Sequence, residues 1–252
     1  MKLSGIYAAI ATPFDYQGGL YKAKVQHNVE KWNKTQLAGY AVGTRWGEGQ
    51  LLRFEERVQL WAMVREWCAE GRALIADVTA EGVAETLALA GEAAGLGYNA
   101  VLCSMPLRYP ETAELYANAV ADGSPVPVIV HGERIDHPNV AAVLVDSIAR
   151  QGELTARAEA VWESLQGGAA GAILGSASAD PYSAILVWEA FRTREVEAGL
   201  DCQARVRDWA SVPDLKAAMD RNGYYGGPPR LPLSAVRAAG VMAAPTEELS
   251  AR

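Results

Sequence analysis

The chain of 252 residues is short of several things, and each shortage removes a class of protein. It has only three cysteines, Cys68, Cys103 and Cys202, odd in number and far apart. That excludes a disulfide framework and predicts buried thiols in a reducing, cytoplasmic setting. No apolar run approaches the ~20 residues of a membrane-spanning helix. The start, MKLSGIYAAIATPF, is too short and too interrupted for a signal peptide. No basic block or stripe appears, and the formal net charge is -7. A nucleic-acid backbone is therefore an unsuitable partner, whereas a small anion held by one or two arginines is not excluded. No Gly-x-Gly-x-x-Gly follows the first apolar run, which argues against a dinucleotide fold. Lysine is sparse and unevenly placed: only Lys2, Lys22, Lys24, Lys31, Lys34 and Lys216 occur, with none from 35 to 215.

What is present is a hydrophobic half of the chain, arranged as short apolar runs alternating with amphipathic segments. GIYAAIATPF, GYAVGT, RALIADV, AVLCSMP and VPVIVHG read as strands one to five. Helices are expected over 20–36, 53–70, 81–96 and 111–122. Their buried faces carry residues such as Val25, Val29 and Trp32, then Trp61 and Val64. Five such units in a row predict a parallel sheet closing as a (β/α) barrel, with chemistry at the C-terminal strand ends. Those ends carry Thr12, Thr44, Asp77, Met105 and His131. Beyond 132 the pattern changes. Residues 138–151 and 153–166 read as helices, GAILGSAS as the last strand, and 181–209 as helical with a break near Gly199. A further helix begins at VPDLKAAMD, and a Gly/Pro-rich turn follows. The expectation is one domain over 1–252, with a C-terminal helical extension from about 181.

Six stretches together resemble the dihydrodipicolinate synthase / N-acetylneuraminate lyase family of barrel aldolases. They are GIYAAIATPF, GTRWGEGQLLRFEER, YNAVLCSMPLRYP, VPVIVHGE, GAAGAILGSAS and PDLKAAMDRNGYYGGPPRLPL. The last is similar to the branch that includes 4-hydroxy-2-oxoglutarate aldolase. The resemblance implies a TIM (β/α)8 barrel, a 2-oxo acid such as pyruvate as ligand, self-association as a dimer or tetramer, and no cofactor or resident metal. It also implies a lysine on strand six that forms a Schiff base, a proton-relaying tyrosine on strand five, and a carboxylate-holding Gly-Thr-Thr-Gly-Glu loop.

Carried over residue by residue, Thr44, Gly47 and Glu48 match the loop, while Arg45 and Trp46 displace its second threonine. Tyr109 matches the second tyrosine of a Pro-x-Tyr-Tyr pattern, and His131 stands in the place of the relay tyrosine. Arg134 lies near a carboxylate-binding arginine of the family, with different spacing. The expected roles are therefore catalysis for Thr44, Tyr109 and His131, and substrate binding for Arg45, Gly47, Glu48 and Arg134.

The lysine has no counterpart. Lys216 falls on a predicted outer helix beside Leu215 and Met219, where a solvated amine keeps its ordinary pKa of ~10.4. Strands six and seven read as shortened or missing, cut near Gly152 and near Val161-Trp162. In an alternative register VAAVLVDS is itself strand six, with Leu144 in the lysine position. The cluster His131, Glu133, Asp136 and His137 could in principle bind a metal, but its spacing matches no strong motif. Two functions stay open: a lyase relative working without Schiff-base chemistry, or an inactive barrel kept as a binding or assembly subunit.

Overall fold

The computed structural model describes residues 3–105 and 110–233. Eight parallel strands close in sequence order: β1 Gly5–Ile10, β2 Gly39–Val42, β3 Ala73–Asp77, β4 Ala100–Ser104, β5 Val128–His131, β6 Val140–Val145, β7 Leu154–Thr155 and β8 Gly171–Leu174. The ring closes where β1 pairs with β8, with Gly5 opposite Gly171 and Ala8 opposite Leu174. β1 to β5 and β8 fall where the apolar runs place them, and they are buried almost throughout, as a sheet covered on both faces requires.

The outer layer begins with α1 Lys22–Trp32, α2 Phe54–Trp67, α3 Val83–Gly95 and α4 Ala113–Gly123. α1 buries Val25, Val29 and Trp32, the face that the sequence spacing predicts. Trp32 Nε1 donates to the Ser178 carbonyl at 3.0 Å, so the helix after β1 is tied to the chain just beyond β8. α5 Val161–Gln166 leads into β8, and α6 Pro181–Thr193, α7 Val196–Gln203 and α8 Val212–Arg221 follow it. The break in the 181–209 helical run falls at Arg194, which takes a left-handed conformation (φ 63°), and not at Gly199. Among the cysteines, Cys103 is buried, and Cys68 and Cys202 are half-buried.

The expectation that strands six and seven are missing is corrected. Both are present, and β7 alone is short, with two residues. β6 pairs with β5 (His131 opposite Leu144) and with β7 (Leu144 opposite Leu154); β7 pairs with β8 (Thr155 opposite Ala172). The predicted helix over 138–151 is instead VAAVLV in extended form, the alternative strand-six register with Leu144 beside His131. A short, continuous apolar run without alternation fits a strand or a buried helix equally, so periodicity alone cannot tell the two apart. The predicted helix over 153–166 begins only at Val161.

Two crossovers among the described residues lack a helix. The described residues 132–139, between β5 and β6, and 146–153, between β6 and β7, contain no helix. Parallel neighbours normally need a crossover of a dozen or more residues. Eight extended residues reach about 26 Å, enough to run back along a six-residue strand of about 20 Å. The outer side of β6 is left as a groove of about 260 Å³, lined in part by Arg134, Ile135, His137, Val140 and Gln151.

Candidate active site

The rim loop after β2 is held by its own backbone. Thr44 ends the extended segment, and its carbonyl accepts from Gly47 N (2.9 Å) and Gly49 N (3.1 Å), which curls residues 45–51 into two short turns. A Cβ on Gly49 would overlap the Gly43 carbonyl oxygen at 1.6 Å, so only glycine lets the loop fold back this tightly. Gly47 presses on the Ile10 carbonyl, and its own carbonyl accepts from Thr12 Oγ1.

Thr44 is buried, and its Oγ1 has no protein partner among the described residues. An unpaired buried hydroxyl costs about 1–3 kcal/mol, which a ligand or water would recover. Ser176, just past β8, is a second buried hydroxyl in the same condition. The two rim segments touch: the Trp46 indole lies against the Cα of Gly175, where a Cβ would come within 2.5 Å of the ring. Arg45 is exposed, with Cζ 4.8 Å from the centroid of the Trp46 ring.

Glu48 takes a left-handed backbone (φ 58°) and turns its carboxylate away from solvent. Lys216 Nζ lies 2.5 Å from Glu48 Oε1 and also donates to the Pro228 carbonyl at 3.0 Å. Glu48 Oε2 accepts from Arg230 N at 2.7 Å. The carboxylate expected to bind substrate is thus taken up by the loop's own anchors. Lys216 is likewise not a solvated outer lysine: its side chain is 1% exposed. Burial holds its amine below the ordinary range, against the upward pull of Glu48.

On the opposite side of the mouth, β4, β5 and β6 carry a second polar set. Ser104 and His131 are register partners on adjacent strands. Ser104 Oγ lies 3.3 Å from His131 Nδ1, and His131 Nε2 lies 3.0 Å from Asp146 Oδ2. Asp77, at the end of β3, is buried, and its carboxyl is pushed upward by desolvation, opposed in part by its bond from Thr79 N. Arg134 lines the outer groove of β6. His137 pairs with Asp122 of α4 at 3.0 Å, so it turns away from His131. Among the described residues no three His, Cys, Asp or Glu side chains gather as a metal set. Tyr109 lies outside the described residues.

Sequence reasoning passed over Ser104, Asp146 and Ser176. Ser104 was hidden because Met105 reads as the strand end. Asp146 was hidden because its strand reads as a helix. Ser176 carries no sequence signal beyond its place after an apolar run.

Comparison with known proteins adds three findings. The model of the dihydrodipicolinate synthetase family matches residues 2–150. N-acetylneuraminate lyase from Escherichia coli (strain K12 / DH10B) is 32% identical over 133 residues, which are 51% of this chain and 45% of that protein. The chain thus matches less than half the length of this curated relative. Two solved structures share the fold at low identity. A dihydrodipicolinate synthase from Bacillus anthracis has a TM-score of 0.83 at 20% identity, covering 94% of each chain. N-acetylneuraminate lyase from Mycoplasma synoviae has 0.82 at 22%, covering 94% of this chain and 93% of that one.

Proposed function

Because the chain belongs to the dihydrodipicolinate synthetase family, we propose that it is a lyase-type barrel that binds a small 2-oxo acid and works on it without a Schiff base. The observation that carries this reading is the buried, unpartnered Oγ1 of Thr44 at the mouth of the barrel. A hydroxyl in that position is a ready donor to a carboxylate, and a charge-assisted bond of this kind contributes about 1.5–3 kcal/mol. His131 supplies the proton transfer. It stands at a strand end with both ring nitrogens engaged, where an imidazole can accept a proton at one nitrogen while the other is held. Tyr109, Gly47 and Arg134 enter this reading by resemblance alone, Arg45 by its guanidinium and its place on the rim loop, and Glu48 as the anchor of the loop.

Schiff-base chemistry needs a neutral, unpaired amine beside the substrate carbonyl. β6 offers Leu144 at the position beside His131. The buried amine, Lys216, is paired with Glu48 and bonded to the Pro228 carbonyl. The same facts favour a second reading, a barrel retained for binding or assembly. Likeness of the tail at 213–233 to the 4-hydroxy-2-oxoglutarate aldolase branch supports a dicarboxylic 2-oxo acid as ligand. A dimer or tetramer in a reducing cytoplasm completes the proposal, supported by the family and by three free thiols.

Calorimetry with pyruvate and 2-oxoglutarate tests it. Wild type binds one of them, Thr44→Val weakens binding by about 10- to 100-fold, and Arg45→Ala shows whether the exposed guanidinium takes part. Proton NMR in heavy water follows exchange at C3, which His131→Asn abolishes. Binding without exchange selects the second reading, and no binding to wild type removes the lyase reading. A borohydride-stable pyruvyl adduct on any lysine refutes the exclusion of the Schiff base.

A further inference from the structure

Ser104, His131 and Asp146 occupy the C-terminal ends of three neighbouring strands, with Asp146 one residue beyond β6. Because Ser104 and His131 are register partners, their side chains leave the sheet on one face at one level. A single hydrogen-bonded chain results: hydroxyl, imidazole, carboxylate, with steps of 3.3 and 3.0 Å. A carboxylate only accepts, so Asp146 fixes the ring proton on Nε2 and leaves Nδ1 as the acceptor for the serine hydroxyl. Ser104 is further held through its backbone N–H, which donates to Thr79 Oγ1 at 2.9 Å. Ser104 is half-buried and the His131 side chain is 21% exposed, so a solute entering the mouth can reach both.

This is the arrangement of an activated nucleophile, a base and an orienting acid, recognised by geometry and role and not by position in the chain. The two ring nitrogens serve in the reverse order from a serine protease, with Nδ1 toward the hydroxyl. We propose that Ser104 is a nucleophile activated by His131, with Asp146 as its positioning residue, and that the barrel mouth hydrolyses small acyl esters or thioesters.

The substrate class follows from the nucleophile. Addition of a serine oxygen to the ketone of a 2-oxo acid gives a hemiketal, which has neither a leaving group nor an electron-accepting nitrogen. An acyl carbon bearing an alkoxide or thiolate does turn over. The Ser104 Oγ–acyl carbon bond forms as the hydroxyl proton passes to His131 Nδ1. The bond to the leaving oxygen or sulfur then breaks, and His131 returns the proton to the departing alcohol or thiol. Water adds to the acyl-serine, again losing a proton to His131. The acyl–Oγ bond then breaks, that proton returns to Oγ, and the free acid departs. The sum is ester plus water to acid plus alcohol, with no oxidant or reductant required.

The inference shares His131 with the 2-oxo acid reading but does not rest on it. The test treats the purified chain with a fluorophosphonate, followed by intact mass and peptide mapping, and measures hydrolysis of p-nitrophenyl acetate. The expected result is one adduct on Ser104, absent in Ser104→Ala and in His131→Ala. Hydrolysis should fall by at least ~100-fold in both variants. Asp146, exposed over 66% of its side chain, should matter less: Asp146→Asn loses on the order of tenfold, and Asp146→Glu recovers most of it. Circular dichroism and thermal melting of each variant separate lost chemistry from lost fold. No adduct at Ser104 on the folded wild type, or equal hydrolysis by wild type and Ser104→Ala, overturns the inference. Labelled Ser104 without any 2-oxo acid binding leaves it standing and removes the preceding reading. Pyruvate binding without labelling does the reverse.

Discussion

Replacing Lys216 with methionine should destabilise the protein by about 3–5 kcal/mol, because it strands a buried carboxylate. Lys216 and Glu48 have side chains 1% and 0% exposed, with 2.5 Å between Nζ and Oε1. Neither reaches water if the other is removed. Nζ also lies 4.6 Å from the centre of the Phe14 ring, a contact that methionine keeps only in part. After the substitution Glu48 retains the Arg230 amide at 2.7 Å, short of what an ionised carboxylate requires. A domain's whole stability is about 5–15 kcal/mol, so the loss is a large share of it. With a urea m-value of about 3 kcal/mol/M for a chain of this size, the unfolding midpoint should fall by more than ~1 M. The companion Lys216→Met, Glu48→Gln removes both charges, and should recover about half of the loss or more. Because Glu48 anchors the loop that carries Thr44, the single variant should also weaken 2-oxo acid binding more than its stability loss alone explains. A cost below ~1 kcal/mol for Lys216→Met in urea denaturation, or a double variant no more stable than the single, would refute the buried-pair argument.

Two further predictions concern pH. The Arg230 guanidinium grips Glu56 with two bonds of 2.8 Å and, with smaller help from the Arg53 amide, lowers its carboxyl to about 2. A depressed carboxyl contributes its stability in full above its ordinary 4.5 and loses it as pH falls through about 2. Arg230→Ala should therefore flatten the acid limb of stability between those values, removing about 2 kcal/mol at pH 6; an unchanged acid limb counts against the pair. Asp208 behaves oppositely: burial, reinforced by Glu159, pushes its carboxyl up to about 6. A raised carboxyl is a liability that appears as pH rises from 3.8 through about 6. Asp208→Asn should thus raise the melting temperature at pH 7.5 and leave it nearly unchanged at pH 4; equal shifts at both values would reject this account.

The sequence by itself determined the class of the fold and the position of the first five strands, because five apolar runs alternating with amphipathic helices can bury their faces in few other ways. Thr44 and His131 were legible as rim residues for the same reason: each follows a strand's apolar run, and barrels expose that end to ligand. The run 140–145 was not legible, since its six small or branched apolar residues carry no period of two. Only closure of the ring, with β5 on one side and β7 on the other, decides that they are a strand. The two-residue β7 is below anything periodicity can detect. The contacts at the mouth are set at the same level. Register across two strand pairs brings Ser104, His131 and Asp146 into one chain of contacts, although 42 residues of sequence separate its ends. The tertiary structure also decided the fate of the lysine. Lys216 lies on an amphipathic helix that sequence alone leaves facing water, and packing of α8 against the rim loop turns its amine onto Glu48, 168 residues earlier. Periodicity reports which faces are apolar, whereas the partner of a charge is set by long-range contacts that leave no local trace.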